Sequence, residues 1–309
     1  MRQGLLWLSE RQGIFNFVRR NGLARKFASR FVAGETIETG VAAAGELSRR
    51  GITASLDLLG ESVSVEAEAV AARDQYLSML DRMAESGVEV NVSVKLTQMG
   101  LDIGEDLCHR NMVAILEKAK ALRGFVRLDM EGSDYTQRTL DFFSRRLFPG
   151  YGEHCGVVIQ SMLRRSERDV EDLIALKARV RLCKGAYLES PSVAFPDKAD
   201  VDRNYVQLMQ RLMRDGTYPG LATHDEAIIE QARAFAGREG IGSDRFEFQM
   251  LYGVRRDLQE RLRQAGFAMR VYIPFGTQWY PYLMRRLAER PANIAFLLGN
   301  VVRESVPKR

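Results

Sequence analysis

Four residues of one short segment show the plainest capacity for chemistry. Tyr282, Arg285, Arg286 and Glu289 stand at i, i+3, i+4 and i+7 of the stretch 279–290, which reads as a helix, so they share one face. Two neighbouring guanidinium groups near a helix start form a fork of N–H donors suited to a carboxylate. A charged stripe of this kind can also be a plain solvated face. The tyrosine and glutamate that bracket the arginines favour a site. Just upstream, residues 268–274 form an apolar run that reads as a buried strand, stopped by Pro274 and Gly276.

The same habit recurs along the chain, where short apolar runs end in polar groups. The run 52–58 closes with Asp57 and is followed by Glu61, and the run 88–95 ends in Lys95. Asp129 and Met130 end the run 125–130, with Glu131 next, and Gln160 ends the run 157–160. The run 180–183 carries Arg181 and leads into Lys184, Gly185, Ala186 and Tyr187. Thr223 ends the run 220–223 beside His224, Gln249 and Leu251 lie in 246–251, and Tyr272 lies in 269–273. Buried lysine and aspartate are costly unless paired or used. Any one of these residues could belong to a charge network that only closes one end of a sheet. Together, Lys95, Arg181, Lys184, Arg285 and Arg286, offset by Asp57, Asp129 and Glu289, describe a cationic pocket for an anionic ligand.

The elements that must position these groups alternate in kind. Helical patterns at 64–85, 106–122, 135–147, 166–177, 200–214, 225–236, 255–264 and 280–290 separate the apolar runs. Ser64, Ser166 and Asp225 stand where caps are expected. The strands are apolar on both sides, as in parallel sheets covered on both faces. Eight such alternations suit an α/β fold, a distorted (β/α)8 TIM-type barrel, whose chemistry would lie at the C-terminal strand ends. Pattern alone leaves an open doubly wound sheet as the alternative. The expected division is an N-terminal helical arm over 1–45 and a barrel over 46–309.

Composition narrows the classes further. The chain has 309 residues, 46% hydrophobic and 28% charged, and contains no apolar run of membrane-spanning length. No signal peptide is expected at the N-terminus. Three widely spaced cysteines, Cys108, Cys155 and Cys183, and three scattered histidines suggest a reducing cytoplasm and no metal centre. The net charge of +5 is diffuse, and no nucleic-acid motif accompanies it. The segment 15–32 is basic and amphipathic, so it could touch an anionic membrane surface or dock on the barrel with its basic side in water. No GxGxxG, GxSxG, HExxH or Walker A sequence occurs, which removes Rossmann, common hydrolase and kinase readings.

Taken in order, DLLGE (57–61), SVKLTQMG (93–100), RLDMEGS (127–133), VIQSML (158–163), RLCKGAY (181–187), ATHD (222–225), FEFQMLYG (246–253), YIPFG (272–276) and WYPYLMRRLAERPAN (279–293) resemble the proline dehydrogenase family, in its short monofunctional bacterial form. That resemblance implies a barrel holding FAD non-covalently and oxidising L-proline to Δ1-pyrroline-5-carboxylate, with electrons passed to a quinone-type acceptor. It implies Asp129 and Arg181 as catalytic positions, Arg181 beside the flavin. Arg285 and Arg286 with Lys95 would hold the proline carboxylate, while Tyr187, Leu251, Tyr272 and Tyr282 shape the pocket. Glu61 would pair with Arg285 as a gate, and Asp57 and Glu289 would be supporting carboxylates. Met130, Gln160, Arg181, Lys184, Gly185, Ala186, Thr223 and His224 would contact FAD.

Overall fold

The computed structural model describes residues 28–289, with side chains through residue 284. Eight parallel strands pair in chain order and close on themselves: β1 (Thr53–Leu58), β2 (Asn91–Val94), β3 (Phe125–Leu128), β4 (Cys155–Gln160), β5 (Arg179–Cys183), β6 (Gly220–Ala222), β7 (Glu247–Leu251) and β8 (Ala268–Phe275). The (β/α)8 barrel expected from the sequence is therefore the observed fold, and the open sheet is excluded by the parallel β1–β8 pairing, which runs from Thr53 opposite Arg270 to Leu58 opposite Phe275. Helix α1 (Ile37–Ser48) precedes the barrel. Between the strands lie α2 (Glu66–Glu85), α3 (Glu105–Ala121), α4 (Ser133–Phe142), α5 (Phe148–Tyr151), α6 (Ser166–Ala175), α7 (Lys198–Asp215), α8 (Glu226–Glu239) and α9 (Arg256–Gln264), and α10 (Trp279–Glu289) follows β8.

Each strand faces two layers, and its residues alternate accordingly. Leu56, Val92, Val94, Val126, Leu128, Val157, Leu182 and Val271 are fully buried members of the main apolar core between sheet and helices. Burial of one such side chain contributes about 1.5–3 kcal/mol, so this outer layer drives the assembly even where a strand is short. The alternate positions meet inside the barrel and are polar: Ser55, Asp57, Ser93, Arg127, Arg181, Glu247, Gln249 and Arg270 are all buried. Barrel interiors are more often filled by branched apolar residues. A polar interior must be fully bonded to be tolerated, which fixes where each group can sit.

Helix α1 carries a reciprocal capping box between Thr36 and Thr39 and adds Val41, Ala44 and Leu47 to the core. Ahead of it, Ala28, Phe31 and Val32 form a second apolar cluster with Leu59 and with Trp279, Tyr280 and Leu283 of α10. Residues 1–27, which hold most of the basic segment expected at 15–32, lie outside the described residues, as do residues 290–309. Among the described residues no helix is long and apolar enough to cross a membrane.

Several boundaries differ from the sequence reading for local reasons. Strand β8 continues through Pro274, which pairs in register with Asp57 and accepts a hydrogen bond from Ala33 N–H at 2.9 Å. A missing donor is tolerated so close to a strand end. The helix expected at 135–147 stays α-helical only to Phe142, and 143–147 form a π-turn. Asp225 caps α8 through Ala227 N–H, as expected. Ser166 caps nothing: it is the first residue of α6, and its hydroxyl donates to Gln160 O at 2.5 Å. Helix α2 starts after Val65 without a side-chain cap, so Ser64 has no such role either.

Candidate active site

Asp129 is the hub of the barrel mouth. It follows β3 and extends the ladder, its N–H bonded to Val94 O at 2.9 Å. Its carboxylate accepts from Arg181 Nη1 at 2.8 Å and from the Tyr272 hydroxyl at 2.7 Å. Lys95 Nζ stands 4.0 Å from Asp129 Oδ2 and donates to Asp57 Oδ1 at 3.2 Å. Five groups from five strands or strand ends thus converge.

Arg181 is fixed independently of Asp129. Its Nε donates to Gln249 Oε1 at 2.5 Å and its Nη1 to Ser93 Oγ at 3.1 Å, while the guanidinium carbon lies 5.3 Å from the Tyr272 ring centroid. Deeper in the barrel, Gln249 Nε2 donates to Glu247 Oε1 at 2.5 Å, and Arg270 Nε donates to the same oxygen at 2.8 Å. Arg270 also bonds Ala54 O and Glu89, both at 3.0 Å. The interior is a ladder of polar contacts that holds the Arg181 plane in one orientation.

Burial makes the charge balance matter. Side-chain exposure is 1% for Asp57, 10% for Lys95, 11% for Asp129 and 7% for Arg181. Removing an ion from water costs several kcal/mol, so a set of two cations and two carboxylates is tolerable where an unbalanced one is not. Burial pulls the Lys95 ammonium down, but Asp57, Asp129 and Glu61 outweigh it and hold its pKa above the usual lysine range. Lys95 is therefore charged. Burial pushes the Asp57 carboxyl up, the Lys95 ammonium opposes, and the neighbouring Asp129 charge adds to the rise. Asp57 Oδ2 is buried without a hydrogen-bond partner. Burial, then the Asp129 and Asp57 charges, keep the Tyr272 phenol well above its ordinary pKa, so it serves as a donor.

The β3–β6 side of the mouth supplies a different set. Gln160, at the end of β4, donates through Nε2 to Glu131 O at 2.9 Å, beside the buried Met130. Glu131 accepts from the Thr97 hydroxyl at 2.6 Å, which itself accepts Ser62 N–H at 2.9 Å. Lys184 Nζ sits between Asp202 at 2.6 Å and Asp225 at 2.8 Å. Thr223 Oγ1 accepts Asp225 N–H at 3.1 Å, which leaves the hydroxyl hydrogen to donate. Gly185 has φ +107°, and a β-carbon there would stand 2.4 Å from Met162 Sδ, so only glycine lets the backbone pass. His224 Nε2 accepts Leu251 N–H at 2.9 Å, which assigns a neutral ring its proton on Nδ1.

The structure thus brings Asp57, Lys95, Asp129, Arg181 and Tyr272 into one network, and places Met130, Gln160, Lys184, Gly185, Ala186, Thr223, His224 and Leu251 around the same end. Glu61 and Tyr187 are half-buried on loops there, and Tyr187 packs against Met162, Leu163 and Ala194. Tyr282 is buried in α10 within the cluster that includes Leu59 and Phe31. The side chains of Arg285, Arg286 and Glu289 lie outside the described residues. Sequence reasoning overlooked Ser55, Ser93, Glu247 and Arg270, which orient the hub from below. For Glu247 and Arg270 the signal was present as alternation, since Glu247 and Gln249, and Arg270 and Tyr272, follow a period of two.

Comparison with known proteins gives one answer. Residues 41–298 match the family model described as proline dehydrogenase. The chain is 42% identical to the proline dehydrogenase of Deinococcus radiodurans, covering 98% of each chain. It is 39% identical to proline dehydrogenase 2 of Bacillus subtilis strain 168, covering 98% of this chain and 99% of the relative. Among solved structures, proline utilization A from Bdellovibrio bacteriovorus, inactivated by N-propargylglycine, superposes with a TM-score of 0.81 at 25% identity. That match covers 92% of this chain and 34% of the other, so this chain spans about a third of the larger protein.

Proposed function

Because the chain belongs to the proline dehydrogenase family, we propose that the mouth of its barrel oxidises L-proline to Δ1-pyrroline-5-carboxylate with FAD as cofactor. The observation that carries this reading is the Asp129 hub: a buried carboxylate that accepts from an arginine and a phenol, with a lysine 4.0 Å away, at the strand ends. The mouth residues fit a flavin nucleotide. Arg181 offers positive charge, Lys184 an ammonium shared with Asp202 and Asp225, Thr223 a hydroxyl donor, and Gly185 a backbone set by its packing on Met162.

When bound, FAD supplies a hydride acceptor at N5 for the hydride that leaves proline C5. The residues of this chain supply placement and charge. Arg181, fixed by Gln249 and Ser93, presents a permanent cation where negative charge would develop on the cofactor. Asp129 keeps that cation in place and orients Tyr272 against the substrate ring. Lys95, fully charged and only partly neutralised by Asp57, contributes to holding the proline carboxylate together with Arg285 and Arg286. Because the described buried set is already charge-balanced, the substrate's carboxylate needs those two further arginines. Tyr187, Leu251 and Tyr282 wall the pocket, Glu61 gates it, and Glu289 supports the arginines. Met130, Gln160, Ala186 and His224 complete the cofactor contacts. The substrate amine enters deprotonated, so the nitrogen lone pair can form the C=N bond as the hydride departs, and the resulting iminium loses its N–H proton to water to give Δ1-pyrroline-5-carboxylate. Electrons pass on to a quinone-type acceptor, in the cytoplasm or at the inner face of the membrane.

The test is a visible spectrum of the purified protein, recorded without oxygen before and after proline is added. Flavin bands that bleach with L-proline and not with D-proline are the expected result. Bound flavin that ignores L-proline, or a colourless protein that takes up no FAD, would refute the reading.

A further inference from the structure

The β5–α7 connection, residues 184–197, runs along the rim of the barrel mouth as a strap. Near its ends it runs beside the turn after β4: Met162 N–H donates to Lys184 O at 2.9 Å, Phe195 N–H to Met162 O at 2.8 Å, and Arg164 N–H to Val193 O at 2.9 Å. Leu163 and Ala194 add an isolated antiparallel bridge. The middle of the strap reaches further, past β4 to the helix that follows β3. There Glu189 accepts the Ser133 N–H at 2.8 Å with one carboxylate oxygen and the Ser133 hydroxyl with the other.

Helix α4 needs this contact. Its N-cap is Gly132, and no side chain of its own segment caps it. The first N–H groups of a helix have no partner within it, and the positive end of the helix favours an anion. Here the anion comes from the loop of another strand. Gly185, in the left-handed region and packed on Met162, is the pivot at one end of the strap, and Glu189 is the fixed point four residues later. Between pivot and fixed point lie Ala186, Tyr187 and the exposed Leu188. Ser133 stands four residues beyond Asp129, so the contact ties the strap to the element that carries the hub.

We propose that Glu189 is a positioning residue, a latch that holds the strap closed over the cofactor side of the mouth and sets how fast FAD leaves it. The inference rests on the functional reading above and adds a role for two residues, Glu189 and Ser133, that this reading does not use. A carboxylate bonded to two donors is among the stronger side-chain contacts, and its loss should speed opening about tenfold. Opening exposes Ala186 and Tyr187 together, because both lie between the pivot and the fixed point.

The experiment follows FAD release from diluted holoenzyme by the rise in flavin fluorescence, for the wild type, Glu189→Ala, Glu189→Gln, Ser133→Ala and the double variant. Release about tenfold faster in Glu189→Ala is expected. Glu189→Gln, which keeps an acceptor for the Ser133 N–H, should recover part of the difference and gives a variant that retains the fold. The double variant should release no faster than Glu189→Ala alone, since both changes break one contact. Release unchanged in the Glu189 variants, or effects that simply add, would overturn the latch while leaving the function intact. A wild-type protein that holds no FAD would overturn the functional reading and the latch with it.

Discussion

Replacing Asp129 by asparagine isolates charge from shape. The amide occupies the same volume and can still accept one hydrogen bond, but the negative charge between Arg181 and Lys95 is gone. Two contacts weaken, the 2.8 Å bond from Arg181 and the 2.7 Å bond from Tyr272. The amide has one acceptor oxygen where the carboxylate had two, so one of these bonds is lost, and a hydrogen bond to a charged group is worth about 1.5–3 kcal/mol. That loss corresponds to a rate of flavin reduction lowered roughly 10- to 150-fold. The buried set then holds two cations against one carboxylate, so the Tm should fall, while Arg181 keeps Gln249 and Ser93 and Lys95 keeps Asp57 as hydrogen-bond partners. Stopped-flow mixing of holoenzyme with L-proline under anaerobic conditions measures the step directly. Tyr272→Phe is the companion variant, removing one of the two contacts, and should cost the smaller share. A reduction rate within threefold of wild type, with flavin content normal, would refute the view that Asp129 charge organises the mouth.

Three further outcomes follow from the same contacts. Glu247→Ala leaves the buried Arg270 without its main counter-charge, and breaking a buried pair costs about 3–5 kcal/mol. A fall in Tm of roughly 10 °C in a thermal melt is expected, and a Tm shift under 3 °C would contradict it. For pH, burial pushes the Glu247 carboxyl up, but the charge and hydrogen bond of Arg270 outweigh it and hold the pKa below the usual 4.5. Its stabilisation is therefore present above about pH 4.5 and lost as pH falls through the lowered folded value, so Glu247→Gln should flatten the acid limb of the stability–pH curve. An acid limb of unchanged slope in that variant would count against the pairing. Gly185→Ala forces a β-carbon into Met162 at a φ that L-residues avoid, and the holoenzyme should lose most of its flavin on gel filtration. Retention of stoichiometric FAD by this variant would show that the backbone there is not tightly set.

The barrel was legible because two signals agreed. Outward positions such as Val92, Val126 and Val157 are apolar and β-branched, while Asp57, Lys95, Asp129 and Arg181 mark the strand ends. Convergence of these four residues could be expected from position alone, since parallel strands of one barrel end on one face. Their pairing could not. Nothing in the spacing says that Arg181 bonds Asp129 and Gln249 rather than Asp57, because that depends on strand tilt and stagger around the closed sheet. Ser55 and Ser93 escaped notice for a related reason. A serine in a strand looks like a weak strand former, and its value appears only when the 3.2 Å contact across β1 and β2 places it under a guanidinium. Glu189 escaped because its partner is 56 residues away on a helix whose start carries no cap of its own.

The second apolar cluster has an experimental use. Trp279 opens α10, and its indole N–H donates to Glu35, just before α1, at 3.1 Å. Phe31 and Val32 share its cluster, and Gly276 N–H donates to Gly34 O at 3.0 Å. The chain has two tryptophans, Trp7 and Trp279, so replacing Trp7 with phenylalanine would leave one intrinsic fluorophore. Its emission would report whether α10 is seated, without a label and without chemistry taking place. A red shift on adding a proline analogue would report that the indole has left its seat against Phe31 and Val32.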